Sequence, residues 1–142
     1  MNANVMMISG HRDVTQEEFD EHYVPMLDKA MEEKCSFVVG DCEGVDFMAQ
    51  EYLYSKGEMN VIVFHMFTDP RFAVERYKHL GGFQSDVDRD FAMTLFSDED
   101  LCWIRKGKER SGTAQNIERR KLKEQGVHTI QEIMTLEASM FL

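Results

Sequence analysis

The feature that most constrains this chain is an alternation of periods. Four apolar runs of strand length, VMMIS (5–9), SFVVG (36–40), NVIVFHMF (60–67) and LCWIRK (101–106), are separated by stretches that include amphipathic helical patterns, and VHTI (127–130) offers a fifth, shorter run. A strand that is apolar throughout is buried on both faces, and strand–helix alternation places helices on both sides of a parallel sheet. The expectation is a single α/β domain over residues 1–142, Rossmann-like, with a mostly parallel sheet of four to five strands and helices on both faces. In such sheets ligands sit beyond the carboxyl ends of the strands, where the strand order reverses.

The helices carry their own punctuation. Thr15 and Glu18 have the spacing of a capping box, and Phe19, Tyr23, Met26, Leu27, Ala30 and Met31 follow on one face. Pro25 interrupts that stripe, so a kink or break is expected near Val24. Val45, Met48, Ala49, Tyr52 and Leu53 form the next stripe, with Gly57 as its stop. Ser85 caps a third helix with Val87, Phe91 and Leu95 on its apolar side, and Ser111 caps a fourth that Gly126 ends. Between residues 68 and 83 no clean period is legible, which reads as a long loop or a hidden short helix.

Charge narrows the function. A net charge of −10 disfavours nucleic acid, whose binders neutralise phosphates with Lys and Arg. The segment from Arg105 to Lys123 runs against this trend, with eight basic residues and two acidic ones. Its Arg119–Lys123 part reads as a solvated helix face; its Arg105–Arg110 part lies in a loop where an anion could bind. Three cysteines without paired spacing suit a reducing compartment. No run approaches the ~20 apolar residues that span a bilayer, and the first residues lack a basic signal-like region, so a cytoplasmic protein with no membrane partner is expected. The apolar end, Met140-Phe141-Leu142, could dock on the core or on a second subunit, which would make a homodimer.

Three turns carry the chemistry, and the fold should bring them together. Ser9-Gly10-His11-Arg12 offers a hydroxyl, an open backbone and a guanidinium suited to an anion. Ser111-Gly112-Thr113 opens a helix, where free N–H groups and hydroxyls form a phosphate cradle, with the basic loop just upstream. Between them lies GDCEGVD (40–46), a glycine-flanked strand-to-helix turn with two carboxylates, Asp41 and Asp46. Helix capping alone suffices for Asp46 but not for two glycines and a second Asp. If phosphate goes to the SGT turn, the carboxylate turn can accept hydrogen bonds from sugar hydroxyls at the other end of the same ligand, with Gly40 and Gly44 permitting close approach. A ligand with hydroxyls at one end and phosphate at the other is a nucleotide. No His or Cys pattern has metal-ligand spacing, and no cofactor is called for.

ISGHR, GDxxGVDxxA, SDxDRDxAM and SGTAxNI, in that order, resemble the SLOG superfamily of Rossmann-like domains, with its DprA, LOG and YspA-like branches, over residues 4 to about 125. The YspA-like pattern is the nearest. The resemblance implies a nucleotide-derived ligand contacted by Ser9, Gly10, Arg12, Gly40, Gly44, Asp46, Arg89, Gly112 and Thr113; His11, Asp41, Val45 and Ser111 belong to the same turns. Arg89 and Asp90 stand where YspA-like proteins carry an Arg-Asn pair. Asn116 stands where LOG hydrolases carry a glutamate that takes part in N-glycosidic cleavage, and an amide is no acid or base. Two classes of function stay open. One is an enzyme at an N-glycosidic bond, like the related nucleoside deoxyribosyltransferases, with Asp46 or a carboxylate of the Asp86–Asp90 helix (Asp86, Asp88 or Asp90) as nucleophile or general acid–base. The other is a non-catalytic sensor or carrier of a nucleotide signal.

Overall fold

The computed structural model describes residues 4–109 and 111–126. Its strands are β1 (Val5–Ile8), β2 (Ser36–Val39), β3 (Val61–Met66), β4 (Lys78–Phe83) and β5 (Glu99–Leu101), joined by α1 (Gln16–His22), α2 (Val24–Glu32), α3 (Val45–Ser55), α4 (Asp86–Phe96) and α5 (Gly112–Glu124). The five strands form one parallel sheet in the order β4-β3-β2-β1-β5. This is the expected α/β Rossmann-like architecture. From β1 the chain builds outward through β2, β3 and β4, then returns to place β5 on the other side, so the order reverses between β1 and β5. That reversal fixes where a ligand crevice opens.

Successive strand residues point to opposite faces. Ile8, Phe37, Val39, Val61 and Val63 meet Phe19, Tyr23, Leu27, Val45, Ala49 and Leu53 of the first three helices. Met7, Val38 and Phe64 face the other way, onto Met93 of α4. Helix α5 packs on α4 and β5. The capping box forms as expected: the Glu18 N–H donates to Thr15 Oγ1 and the Thr15 N–H donates to Glu18 Oε1. The break at Pro25 is complete, since α1 ends at His22 and α2 starts at Val24 with the proline in its first turn, where the missing N–H costs nothing. Gly57 and Gly126 follow their helices with φ of +79° and +95°.

Several readings are corrected. The fourth strand lies at Glu99–Leu101, two residues early, and Trp103–Lys106 is loop. The aperiodic stretch holds a true strand, β4, at the sheet edge, whose side chains are mostly exposed and so lack an apolar pattern. On α4, Val87 is 45% exposed while Met93 and Thr94 are buried, because the sheet approaches that side of the helix. Arg119 and Arg120 are buried, not solvated. Arg120 and Lys123 donate to the carbonyls of Thr94 and Ser97, and Lys123 also to that of Leu95, so α5 supplies positive charge to the end of α4. The VHTI strand and the apolar end fall outside the described residues.

Candidate functional site

The three turns meet the start of α4 around a cavity of about 330 Å³. Ser9 to Arg12 line it from β1, Gly40, Cys42 and Asp46 from the β2–α3 turn, Arg89, Asp90 and Met93 from α4, and Gly112, Thr113 and Asn116 from α5. The volume is at the small end of ligand pockets. Sequence places these turns together through close backbone packing. The Val45 N–H donates to the His11 carbonyl at 3.2 Å. A Cβ on Gly44, whose φ is +78°, would stand 2.4 Å from the Arg12 carbonyl oxygen. A Cβ on Gly10 would strike Val45 and the Tyr23 hydroxyl, each at 2.4 Å. That hydroxyl donates to the Ser9 carbonyl and accepts from the Trp103 N–H, which ties the β1 turn to the segment after β5. Gly10 and Gly44 are therefore used by the protein itself. At Gly44 the side toward a Cβ is filled by the chain itself, and Gly44 is not among the lining residues.

The two carboxylates of the β2–α3 turn have different surroundings. Asp41 is fully buried and accepts from the Arg71 backbone N–H (2.8 Å), from Arg71 Nε (3.1 Å) and Nη2 (2.9 Å), and from Arg89 Nη1 (2.9 Å). Burial alone would raise its pKa, but the Arg71 hydrogen bonds and the two guanidinium charges outweigh it and hold the carboxyl below its ordinary range. Arg89, itself 5% exposed, also contacts Asp86 and donates through Nε and Nη2 to Asp90. Asp46 is 6% exposed, and its Oδ2 accepts from the Cys42 N–H at 3.1 Å. Burial pushes its pKa up to about 7, with the Arg89 charge only partly opposing. Gly40 makes room for this arrangement: a Cβ there would lie 2.5 Å from Asp46 Oδ2 and 2.9 Å from Arg89 Cζ.

Around the rest of the cavity the charges are lighter. Ser111 caps α5 by accepting from the Ala114 N–H, and the space beside Gly112 is open. The earlier N–H groups of that helix have no intrahelical acceptor. Ser9 Oγ is buried at the cavity without a hydrogen-bond partner among the described residues. Arg12 reaches across to Asp86 at 3.2 Å with its side chain 57% exposed. His11 Nε2 accepts the Arg105 N–H at 2.9 Å, so its ring proton sits on Nδ1, and burial lowers its pKa, with the Arg105 charge adding to the effect. The guanidinium of Arg105 binds Glu18 and Asp13, at 2.8 and 3.0 Å, and is not part of the cavity lining. Arg105 is thus committed to its own carboxylates.

Of the residues singled out from sequence, Ser9, Gly10, His11, Arg12, Gly40, Asp46, Arg89, Asp90, Gly112, Thr113 and Asn116 line the cavity. Asp41 stands behind it, Val45 is in the core, Gly44 supports the turn and Ser111 caps α5. Asn116 Oδ1 accepts from Arg119, whose guanidinium stacks over Phe91 at 4.2 Å. Arg71 escaped the sequence reading; it lies in the aperiodic stretch, 30 residues from its partner Asp41. Ligand atoms of Asp41, Cys42 and Asp86 come within 4.8 Å of one another, the spacing of a metal site. The Arg89 guanidinium already contacts all three, at 2.9, 3.5 and 2.9 Å, so the cluster has its cation.

Among the described residues no helix is long and apolar enough to cross a membrane. Compared with family models, curated proteins and solved structures, the chain matches none.

Proposed function

We propose that the cavity binds a nucleotide or nucleoside derivative, with sugar hydroxyls at Asp46 and a phosphate at the start of α5. The observation that carries this reading is the lining of a single cavity by a helix N-terminus and three carboxylates, Asp46, Asp86 and Asp90. An anion is favoured at the helix start, and carboxylates accept from hydroxyls, so one ligand of mixed chemistry satisfies both. Arg12, exposed at the rim, can turn from Asp86 to the phosphate, since Asp86 keeps Arg71 and Arg89. The sequence resemblance to the SLOG superfamily supports the same ligand class.

A second reading, cleavage or transfer at the N-glycosidic bond, is favoured by one observation. Burial pushes the Asp46 pKa up to about 7, the range in which a general acid–base group works. Asp86 and Asp90 are the other carboxylates that line the cavity; Asn116, an amide bonded to Arg119, is not an acid or base. The test is incubation with a panel of nucleosides and their 5′-monophosphates, scored for thermal shift and for free base. Stabilisation without base release supports a sensor or carrier. Base release that is lost in Asp46→Asn supports the enzyme. A panel that produces neither result rejects the proposed ligand class.

A further inference from the structure

Asp46 differs from the other cavity-lining carboxylates in having no cation against it. Asp86 touches Arg12, Arg71 and Arg89, and Asp90 takes both Nε and Nη2 of Arg89. Among the described residues no Lys, Arg or His nitrogen lies within 4.0 Å of the Asp46 carboxylate, and the Cys42 N–H is its hydrogen-bond donor. The groups nearest to it in charge include Arg89 and Asp90 from α4, Asp41 and Cys42 from its own turn, and Tyr23 from the junction of α1 and α2, while His11 and Arg12 of the β1 turn, Asp86 of α4 and Arg119 of α5 share its cavity. Asp41 and Asp90 are anionic, and Arg89, the cation acting most on Asp46, is already engaged by Asp41, Asp86 and Asp90. Ionising a buried carboxyl with one donor and no ion pair is costly, and such a group keeps its proton.

Resting on the nucleotide reading above, we propose that ligand binding at this cavity is coupled to loss of the Asp46 proton. In the free protein burial favours the neutral carboxyl. Sugar hydroxyls that donate to both carboxylate oxygens replace the missing donors and stabilise the anion, and the proton leaves to solvent. No bond other than O–H of the acid is broken, and the ligand is unchanged. The upward-shifted titration of Asp46, to about 7, puts this exchange in the neutral range. The site would thus bind its ligand better as pH rises toward neutrality, with Asp46 as the residue that sets this dependence.

The experiment is isothermal titration with adenosine, guanosine, cytidine and uridine and their 5′-monophosphates, from pH 5.5 to 8.5, in two buffers of different ionisation heat. The expected result for the parent is affinity that rises with pH, approaching about tenfold per unit below pH 7 and levelling above it, with matching proton release. In Asp46→Asn the release should vanish, leaving only the slope that a titrating phosphate contributes; the nucleosides, which lack that group, should show none. Binding of the parent without proton release, or with proton uptake, overturns the proposal while leaving the ligand assignment standing. Failure of every probe to bind rejects the ligand assignment and the coupling together.

Discussion

Asp41 and Asp46 are five positions apart on one turn, yet they stand in opposite electrostatic worlds. Asp41 closes a lattice of alternating charge, Arg12–Asp86–Arg71–Asp41–Arg89–Asp90, in which Arg71 and the buried Arg89 each meet more than one carboxylate. Asp46 is buried to a similar degree but has a single backbone donor. The lattice fixes the wall of the cavity by joining the 67–77 loop, the β2–α3 turn and the start of α4. Gln50 reinforces it, donating to the carbonyls of Gly40 and Phe72 and accepting from the Val74 N–H. The difference teaches a division of labour. Charges that are fully paired hold the site in shape, and the one left unpaired is available for chemistry with a ligand.

The strongest way to break this comparison is to remove the shared partner. Asp41→Asn leaves Arg89 buried with less compensating charge, and loss of one member of a buried ion pair costs about 3–5 kcal/mol. Urea denaturation should show a loss in that range. It should also pull the Asp46 titration downward, because Arg89 is then freer to face that carboxylate. A loss below about 1 kcal/mol would mean that the lattice does not organise the wall.

The next test sharpens the comparison from the other side. A carboxyl whose pKa is raised in the folded state stabilises the fold fully below its unfolded pKa of about 4, and that contribution is lost as pH rises through the folded value of about 7. The parent should therefore lose about 4 kcal/mol of stability between pH 4 and 8 from this residue. Asp46→Asn keeps an oxygen acceptor for the Cys42 N–H and carries no charge, so that loss should disappear and the variant should be the more stable protein at pH 8. Parallel pH–stability curves for the two proteins would show that Asp46 titrates normally.

What was legible in the sequence follows the range of the interactions involved. Caps, the break at Pro25 and the helix stops depend on neighbours within four residues, and each was readable from Thr15, Pro25, Gly57 or Ser111. The convergence of the three turns was readable because strand–helix alternation dictates it. β4 was not, since an edge strand reading KHLGGF is mostly exposed and has no apolar period to display. Nor was Arg71, whose role exists only when β3 lies beside β2 and the following loop folds back over Asp41. Arg119 and Arg120 read as surface charge because their partners, Phe91, Thr94 and Ser97, lie on another helix or at its end. The glycines were recognised as significant; at Gly44 the chain itself occupies the space toward a Cβ.

The smallest effect on stability should come from the outermost member of the lattice. Arg12 is more than half exposed and makes one ion pair, to an Asp86 that keeps two other guanidinium groups. Exposed pairs of this kind contribute about 0–1 kcal/mol, so Arg12→Ala should leave the denaturation midpoint almost unchanged. Its effect on ligand should be the reverse. The remaining guanidinium groups of the wall are committed to buried carboxylates, which leaves Arg12 as the member of the lattice able to exchange a partner at little cost. A phosphate-bearing ligand should then bind Arg12→Ala more weakly than the parent, and its affinity should depend less on salt, because exposed charges are screened over about 10 Å at about 0.1 M. The corresponding nucleoside, with no phosphate, should bind both proteins alike. Equal loss for the nucleoside and its monophosphate would place Arg12 among the residues that merely shape the rim, and would move the anion entirely to the start of α5.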